Sequence, residues 1–357
     1  MSDSAKPAPK DEPFLYISSS PHVGSPVGTR KIMSRVLIAL APAAAFGVAL
    51  YGMPALLTIA VSITAAELTE ALFRKVINRE ARFRDLSAAV TGLLLALIIP
   101  PGTPLWITAL GAMFAILMGK EFFGGLGANV FNPALIGRAF MLLSFPVSLT
   151  AWAVPRSFFS ARLDALTSST PVDVLTGPTP LGILKLGGSL ADVGADLVSK
   201  GLASSGEYWS VIQSLFLGSR GGSIGESSIV LILIGFIFLL VTRTIDWRAP
   251  VSLVAAAAAT AFILGADPLF SVMSGGLLFG AVFMATDYVT VPMFAKGKIV
   301  FGIGAGIIAM LIRQLGNFPE GISYGILIMN TVTPFLNRIH EKKYGYIPKK
   351  AAKGDAK

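Results

Sequence analysis

Apolar positions along this chain come in long uninterrupted runs, without the period-two alternation of a barrel strand and without the polar face of a helix on a water-soluble domain. Runs with uncharged centres recur near 32–52, 54–75, 86–100, 104–119, 132–150, 225–243, 249–265, 269–286, 298–315 and 320–338. Their length suits helices crossing a hydrocarbon core about 30 Å thick. The pattern therefore predicts an all-α polytopic membrane protein with ten transmembrane helices. It divides the chain into a polar tail (1–30), a first membrane half (31–150), a long polar loop (151–224), a second membrane half (225–340) and a short tail (341–357). Residues 1–30 lack the apolar core of a secretory signal, so the first span is expected to act as its own insertion signal. Both tails, rich in Lys with Pro or Ala, are expected to be disordered.

Three segments interrupt the runs. Gly124-Gly125-Leu126-Gly127-Ala128-Asn129-Val130-Phe131-Asn132-Pro133 and Gly316-Asn317-Phe318-Pro319-Glu320-Gly321 each precede the fifth span of their half. Five spans per half is an odd number, so two such repeats would be inverted, as in transporters whose broken helices meet at a central site. The alternative is a pair of glycine-rich turns before helices that start with proline. The third break is Phe283-Met284-Ala285-Thr286-Asp287-Tyr288-Val289-Thr290-Val291-Pro292. Non-helical backbone at membrane depth is tolerated only where protein or a water-filled cavity satisfies it, so a ligand is expected at these breaks.

Charge placement orients the spans. The net charge is +9, carried by 29 Lys and Arg against 20 Asp and Glu. With both termini in the cytoplasm, most basic residues fall inside, including Arg74, Lys75, Arg79, Arg82, Arg84, Lys120, Arg243, Arg248, Lys296 and Lys298. This follows the positive-inside rule and places the chain in the bacterial cytoplasmic (inner) membrane, with the Thr179 loop outside. The basic excess is a topology signal that also suits contact with anionic lipid headgroups, and it gives no reason to expect nucleic acid as a partner.

Composition narrows the chemistry. Hydrophobic residues make up 54% of the chain and charged residues only 14%. No cysteine is present, which excludes protein-ligated iron–sulfur clusters and c-type haem on this chain. The two histidines, His22 and His340, lie outside the spans, so paired axial ligation within the bilayer is excluded. A redox centre held here would be organic, such as a flavin or a quinone. Ionisable residues within or beside spans carry a functional expectation because burying an unpaired charge is costly. They are Glu67, Glu70, Asp85, Glu121, Arg138, Glu226, Asp287, Arg313 and Glu320. Solvation at headgroup level is the plain reading of Glu70 and Asp85. A structural Arg138–Asp287 pair competes with a cofactor contact, and Arg313 with Glu320 would pair locally. Asp287 and Glu226 are weak candidates for an ion pathway.

In the external loop, Asp173-Val174-Leu175-Thr176-Gly177-Pro178-Thr179-Pro180-Leu181 offers hydroxyls on a polar turn. Such a turn supplies both an attachment oxygen and N–H donors for a phosphate, although an ordinary turn in a Ser- and Thr-rich loop looks the same.

Gly124 to Phe140, Gly275-Gly276 through Phe283-Met284-Ala285-Thr286-Asp287, Pro319-Glu320-Gly321, Met329-Asn330 and the Asp173 segment together resemble the D subunits of Rnf complexes. More distantly, they are similar to the B subunits of sodium-pumping NADH:quinone oxidoreductases. The resemblance runs from about residue 30 to 340. It implies a ten-helix component of a complex that passes electrons between reduced ferredoxin and NAD while moving Na+ or H+. It also implies a phosphoryl-threonine, with FMN attached by a flavin transferase that reads Asp-x-x-(Ser/Thr)-Gly-Ala-Thr. Asp173, Thr176, Gly177 and Thr179 fill that pattern, which makes Thr179 the acceptor, and Pro178 stands where the pattern has Ala. A non-covalent riboflavin near the inner face is implied as well, with Asn129 and Asn132 as its candidate contacts. An Asn amide suits the alternating edge of a flavin, while Asn132 before Pro133 also reads as a helix cap. Flavins near opposite faces of a roughly 30 Å core would exchange electrons slowly without carriers from partner subunits. A secondary transporter or channel without redox role is the rival class, and a purely structural anchor for other redox subunits is a third.

Overall fold

The computed structural model describes residues 28–78, 85–153, 177, 179–218, 220–316 and 320–338. The chain is an all-α polytopic membrane protein. Thr29–Tyr51 (α1) and Met53–Val76 (α2) are joined at Gly52, whose φ of 69° lets the chain reverse within one residue. These two helices, Leu105–Phe123 and Ala295–Leu315 are long and apolar enough to cross a membrane. Leu105–Phe123 consists of an α-helix over Leu105–Gly119 and a 3-10 turn over Glu121–Phe123.

The remaining apolar helices are shorter than a full crossing. Ser87–Leu97 (α3) has 11 residues, a rise of only about 17 Å. Its end lies within protein, where Leu97 O accepts from Gly225 N at 2.7 Å and Ile99 O from Ile224 N at 3.4 Å. The loop before the sixth span thus supplies donors that lipid cannot. Leu105–Gly119 follows as α4. Pro133–Ser144 (α5) starts at Asn132, whose Oδ1 accepts from Ala134 N at 3.0 Å and Leu135 N at 3.4 Å, with Pro133 at the first helical position. The predicted fifth span stops at Ser144, and a separate turn of helix, Pro146–Thr150 (α6), follows. Asn132→Ala is expected to cost about 1–2 kcal/mol through the lost cap, measurable as a lowered unfolding midpoint of the detergent-solubilised chain.

Beyond the loop, the second half contains Ile229–Val241, Arg248–Ile263, Ala295–Leu315 and Ile322–Leu336. The predicted span 269–286 is not one helix. It breaks into Pro268–Met273, Leu277–Phe279 and a π-helical turn over Gly280–Met284, and Gly275 (φ 64°) turns the chain at the first break. A π-turn lets one extra residue into the helix and frequently marks a functional site.

The two halves are arranged alike. In each, the second helix packs on the fourth and the fourth on the fifth, while across the halves the first helices meet, as do the fifth. The tightest packing joins Arg248–Ile263 to Ala295–Leu315. A Cβ at Gly302 would fall 2.5 Å from Ala249 O, and one at Gly306 2.4 Å from Leu253 O. Small residues one turn apart let the two backbones touch, which is how helices associate without a hydrophobic drive.

Within 151–224, read from sequence as a loop, the described residues form three short helices, Pro180–Lys185, Leu190–Ser199 and Tyr208–Leu217. Val193, Leu197, Val211 and Leu215 pack with Phe270 and Met273 of the membrane part. Ser189 opens the second of these helices with a capping box. Its main-chain N–H and hydroxyl both donate to Asp192 and hold that carboxyl below the usual carboxylate range.

Candidate functional site

Charged residues buried among the helices fall into two groups, one at each predicted membrane surface. On the inner side, Glu70 is not solvated at headgroup level as the sequence suggested. It is 3% exposed and takes Lys120 Nζ at 2.8 Å and Arg74 Nε at 3.2 Å, while Arg74 Nη2 also reaches Glu121 Oε1 at 3.1 Å. Lys120 Nζ donates to Ser87 Oγ at 2.6 Å as well. Asp85 is half-buried and accepts from the Ser87 main chain and hydroxyl. The helices α2 and α4 pack side by side, so their terminal charges meet each other before they meet solvent. Two cations and two carboxylates compensate within this network.

Beside it lies an inner cavity of about 70 Å³, lined by Ser87, Lys120, Asn129, Asn132, Phe283 and Asp287, among others. A cavity that binds benzene measures about 150 Å³, so this space alone does not enclose a tricyclic ring. It adjoins an open hollow of about 420 Å³ through the shared residues Ile245, Thr286 and Tyr288. The two candidate amides differ sharply. Asn132 is fully engaged, with Oδ1 on the helix start and Nδ2 donating to Met284 O at 3.3 Å. Asn129 Nδ2 donates to Phe131 O, but its buried Oδ1 has no partner among the described residues. Asn129 thus presents an unanswered acceptor to the cavity, whereas Asn132 holds the scaffold. Asp287 is half-buried and accepts from Thr290 Oγ1 at 3.3 Å.

On the outer side, Thr179 lines a narrow cavity of about 10 Å³ with Trp152, Arg220, Glu226, Gly275 and Glu320. The Thr179 hydroxyl caps the short helix after it, accepting from Gly182 N at 3.0 Å. Gly177 is fixed by its N–H to Trp152 O at 3.1 Å. Asp173, Thr176 and Pro178 lie outside the described residues. Arg220 donates to three main-chain carbonyls, those of Met273, Glu226 and Gly275. The Glu226 carboxylate is wedged between two glycines. A Cβ at Gly222 or Gly276 would come within 2.6 Å of one of its oxygens, and Oε1 accepts from Ser223 N at 2.9 Å.

Two pairings suggested by the sequence are replaced by others. Arg138 does not reach Asp287. It pairs with Glu320 and donates to Ser323 Oγ at 3.0 Å, because Ile322–Leu336 packs against α5. Glu320 is therefore committed to Arg138, and Arg313 instead donates Nη1 to Ser271 O at 2.5 Å.

The two cavities approach each other closely. Phe283 lines the inner one and lies 5.1 Å, ring to ring, from Phe279. Phe279 in turn packs against Gly225, next to Glu226 of the outer cavity, where a Cβ at 225 would also strike Leu97. Along α5 the inner Asn132 and the outer Arg138 are separated by only about 9 Å of helix rise. The sites are not held apart by a full bilayer thickness. Asp287 and Glu226 stand on opposite sides of this Leu97–Phe279–Phe283 septum and are not brought together. Sequence reasoning missed Lys120, Phe279 and the free end of Arg313, although a lone charge inside an apolar run is a signal for the first and last.

Comparison with known proteins agrees with this architecture. Residues 16–345 match the model of the NQR2, RnfD, RnfE family. The chain is 43% identical to the D subunit of the proton-translocating ferredoxin:NAD(+) oxidoreductase complex of Clostridium ljungdahlii, over 93% of this chain and 96% of that protein. It is 40% identical to the D subunit of the Na(+)-translocating ferredoxin:NAD(+) oxidoreductase complex of Acetobacterium woodii, over 93% and 95% of the two chains. With the D subunit of the ion-translocating oxidoreductase complex of Stutzerimonas stutzeri, identity is 37% over 88% and 92%. A match spanning both membrane halves and the loop between them shows that the chain belongs to the NQR2, RnfD, RnfE family.

Proposed function

We propose that the chain is the D-type membrane component of an ion-translocating ferredoxin:NAD oxidoreductase complex, carrying FMN through a phosphoester on Thr179 and a riboflavin at the inner cavity. The observation that carries the covalent part is the position of Thr179. Thr179 lines a cavity together with the buried Arg220, in a segment that matches the transferase pattern at Asp173, Thr176, Gly177 and Thr179. The outer cavity, about 10 Å³, is only water-sized, so both the phosphate and the flavin ring belong outside it, on the side where partner subunits dock. For riboflavin, the unpartnered Asn129 Oδ1 supplies an acceptor, and the hollow next to the cavity supplies room.

Bound flavin supplies the one- and two-electron chemistry, and the protein supplies position and electrostatics. The chain's own residues hold the phosphate end at Thr179, orient a ring edge at Asn129 and keep bulk water from passing between the cavities at Phe279 and Phe283. Asp287 at the inner cavity and Glu226 at the outer one are the residues put forward for ion passage. The Clostridium and Acetobacterium relatives are named for protons and for Na+ at nearly equal identity, so family membership alone does not select the ion.

The test is direct. The chain produced with a flavin transferase, denatured and run on a gel, is expected to fluoresce under ultraviolet light, and a dark band contradicts covalent attachment. A transporter without redox role, favoured by the broken helix at Gly275 and the paired cavities, predicts that dark band. Asn129→Leu is expected to weaken riboflavin retention about tenfold, the worth of one buried hydrogen bond. Acid extraction and chromatography read this out, and unchanged riboflavin would remove Asn129 from the site.

Topology is checked separately. The chain has no cysteine, so single substitutions report cleanly. Leu186→Cys and Met293→Cys, 85% and 78% exposed, are expected to react with a membrane-impermeant maleimide from outside and inside, respectively. The reverse pattern would invert the orientation.

A further inference from the structure

One hydrogen bond away from the inner cavity lies a second, much smaller one. It measures about 10 Å³, enough for a single water, and its lining includes the acidic residues Glu67, Glu70 and Asp85. Ser87 joins the two spaces. Its Oγ donates to Asp85 Oδ1 at 2.8 Å and accepts from Lys120 Nζ at 2.6 Å. Ser87 and Lys120 both line the inner cavity, whereas Asp85 lines the small one. Asp85, Ser87 and Lys120 thus form an unbroken hydrogen-bonded row from one cavity to the other. The start of α3 explains only part of it, because the Ser87 main-chain N–H already ties Asp85 to the helix by donating to Oδ1 at 3.0 Å. The hydroxyl adds a link that holding the helix start does not use.

Exposure gives the row a direction. Asp85 and Glu67 are half-buried, while Ser87, Glu70 and Lys120 are buried, so solvent reaches the row at Asp85 and not at Lys120. An ammonium carries three donors. Two of those on Lys120 Nζ go to Ser87 Oγ and Glu70 Oε2, and the third has no acceptor among the described residues. The hydroxyl between Lys120 and Asp85 accepts and donates at once and is free to reorient, which is what handing a proton along the row requires. The charged groups around it are Glu67, Glu70 and Arg74 on α2, Lys120 and Glu121 just after α4, and Asp287 on the wall of the inner cavity.

We propose that Asp85, Ser87 and Lys120 are the proton inlet of the inner cavity. This rests on riboflavin binding at that cavity and goes beyond it by assigning the route for the protons that accompany its electrons. Lys120 Nζ gives a proton to the cavity ligand, its freed lone pair takes the Ser87 hydroxyl proton, and Ser87 Oγ is reprotonated by the Asp85 carboxylic acid. Asp85 then regains a proton from water, so one proton has crossed the row and all three residues are restored. Electrons arrive separately, from the redox partners in the complex. The same steps in reverse release a proton when the ligand is oxidised.

Full-length chain made without the flavin transferase is used for the test, so that riboflavin is the only flavin bound. It is reduced, freed of reductant and mixed rapidly with ferricyanide, which takes electrons but no protons. Flavin absorbance follows the oxidation and an indicator dye follows the released protons, both per flavin bound. In the wild type, release is expected to keep pace with oxidation. In Asp85→Asn, which keeps an acceptor for Ser87 but carries no acidic proton, release is expected to slow at least about tenfold. Ser87→Ala is expected to slow it as much, and Ser87→Thr, which restores the hydroxyl, to recover most of the rate. A merely structural role would survive Asp85→Asn and leave release in step with oxidation. Release at the wild-type rate in Asp85→Asn or Ser87→Ala, or no recovery in Ser87→Thr, overturns the inlet and leaves riboflavin binding standing. A wild-type chain that binds no riboflavin overturns both, the binding first.

Discussion

Thr179→Ala is expected to give a folded chain with no covalent flavin, in a complex whose electron transfer from reduced ferredoxin to NAD falls to background. The substitution removes the hydroxyl on which the ester would be built. It also removes the cap from Gly182 N, a loss of about 1 kcal/mol. The structural penalty is therefore small against the stability of a protein this size, while the chemical penalty is complete. Thr179→Ser separates the two effects, because serine keeps both the hydroxyl and the cap. It should retain in-gel fluorescence and most activity if the transferase accepts serine at that position. A Thr179→Ala chain that still fluoresces after denaturation would move the attachment elsewhere, and one that fails to accumulate would show a structural role larger than one cap.

The second large effect concerns the inner network. Lys120→Ala is expected to destabilise the protein by about 3–5 kcal/mol, enough to reduce its yield in the membrane. Lys120 is 1% exposed and Glu70 3%. Without Nζ, Glu70 and Glu121 are left with Arg74 alone, and Ser87 Oγ loses its donor. The buried negative charge, rather than the lost contact, sets the magnitude. Replacing both partners with apolar residues of similar length, as in Lys120→Met with Glu70→Met, should recover much of the loss, because a desolvated pair and a packed apolar pair are close in free energy. Thermal unfolding of the single and double variants measures the difference. An additive double variant would show that the two side chains do not form one unit.

The membrane fold is readable because lipid imposes an uninterrupted apolar run on any helix that crosses it. Most predicted spans overlie observed helices to within a few residues at each end. The reading is least accurate where the protein departs from that rule. Span 269–286 looks continuous, because the residues around Ser274, Gly275 and Gly276 differ little in hydropathy from a helix interior, and only the φ of Gly275 reveals the break. The predicted fifth span runs to 150, since Phe145 and Pro146 do not interrupt an apolar run even though they end a helix. The helices within 151–224 escape the hydropathy pattern, although the spacing of Ser189 and Asp192 is a capping-box signal and Val193 and Leu197 share one face.

Side-chain partners are less legible than spans. Glu70 reads as a headgroup-level residue because its run borders a basic loop, and nothing in the sequence states that Lys120 arrives beside it from another helix. Arg138 matches Asp287 on level alone, whereas packing brings it to Glu320. Only their hydrogen bonds separate the roles of Asn129 and Asn132. The Asp173–Thr179 segment is visible as a motif, and the structure adds the narrow cavity that Thr179 lines with Arg220, Glu226 and Glu320.

The most direct measurement is mass spectrometry of the peptide that contains Thr179, taken from the intact complex purified from its own cells. The account predicts a Thr179 residue heavier by FMN less one water, with flavin absorbance on the same chromatographic peak. An unmodified Thr179 in a complex that still transfers electrons from ferredoxin to NAD would contradict it.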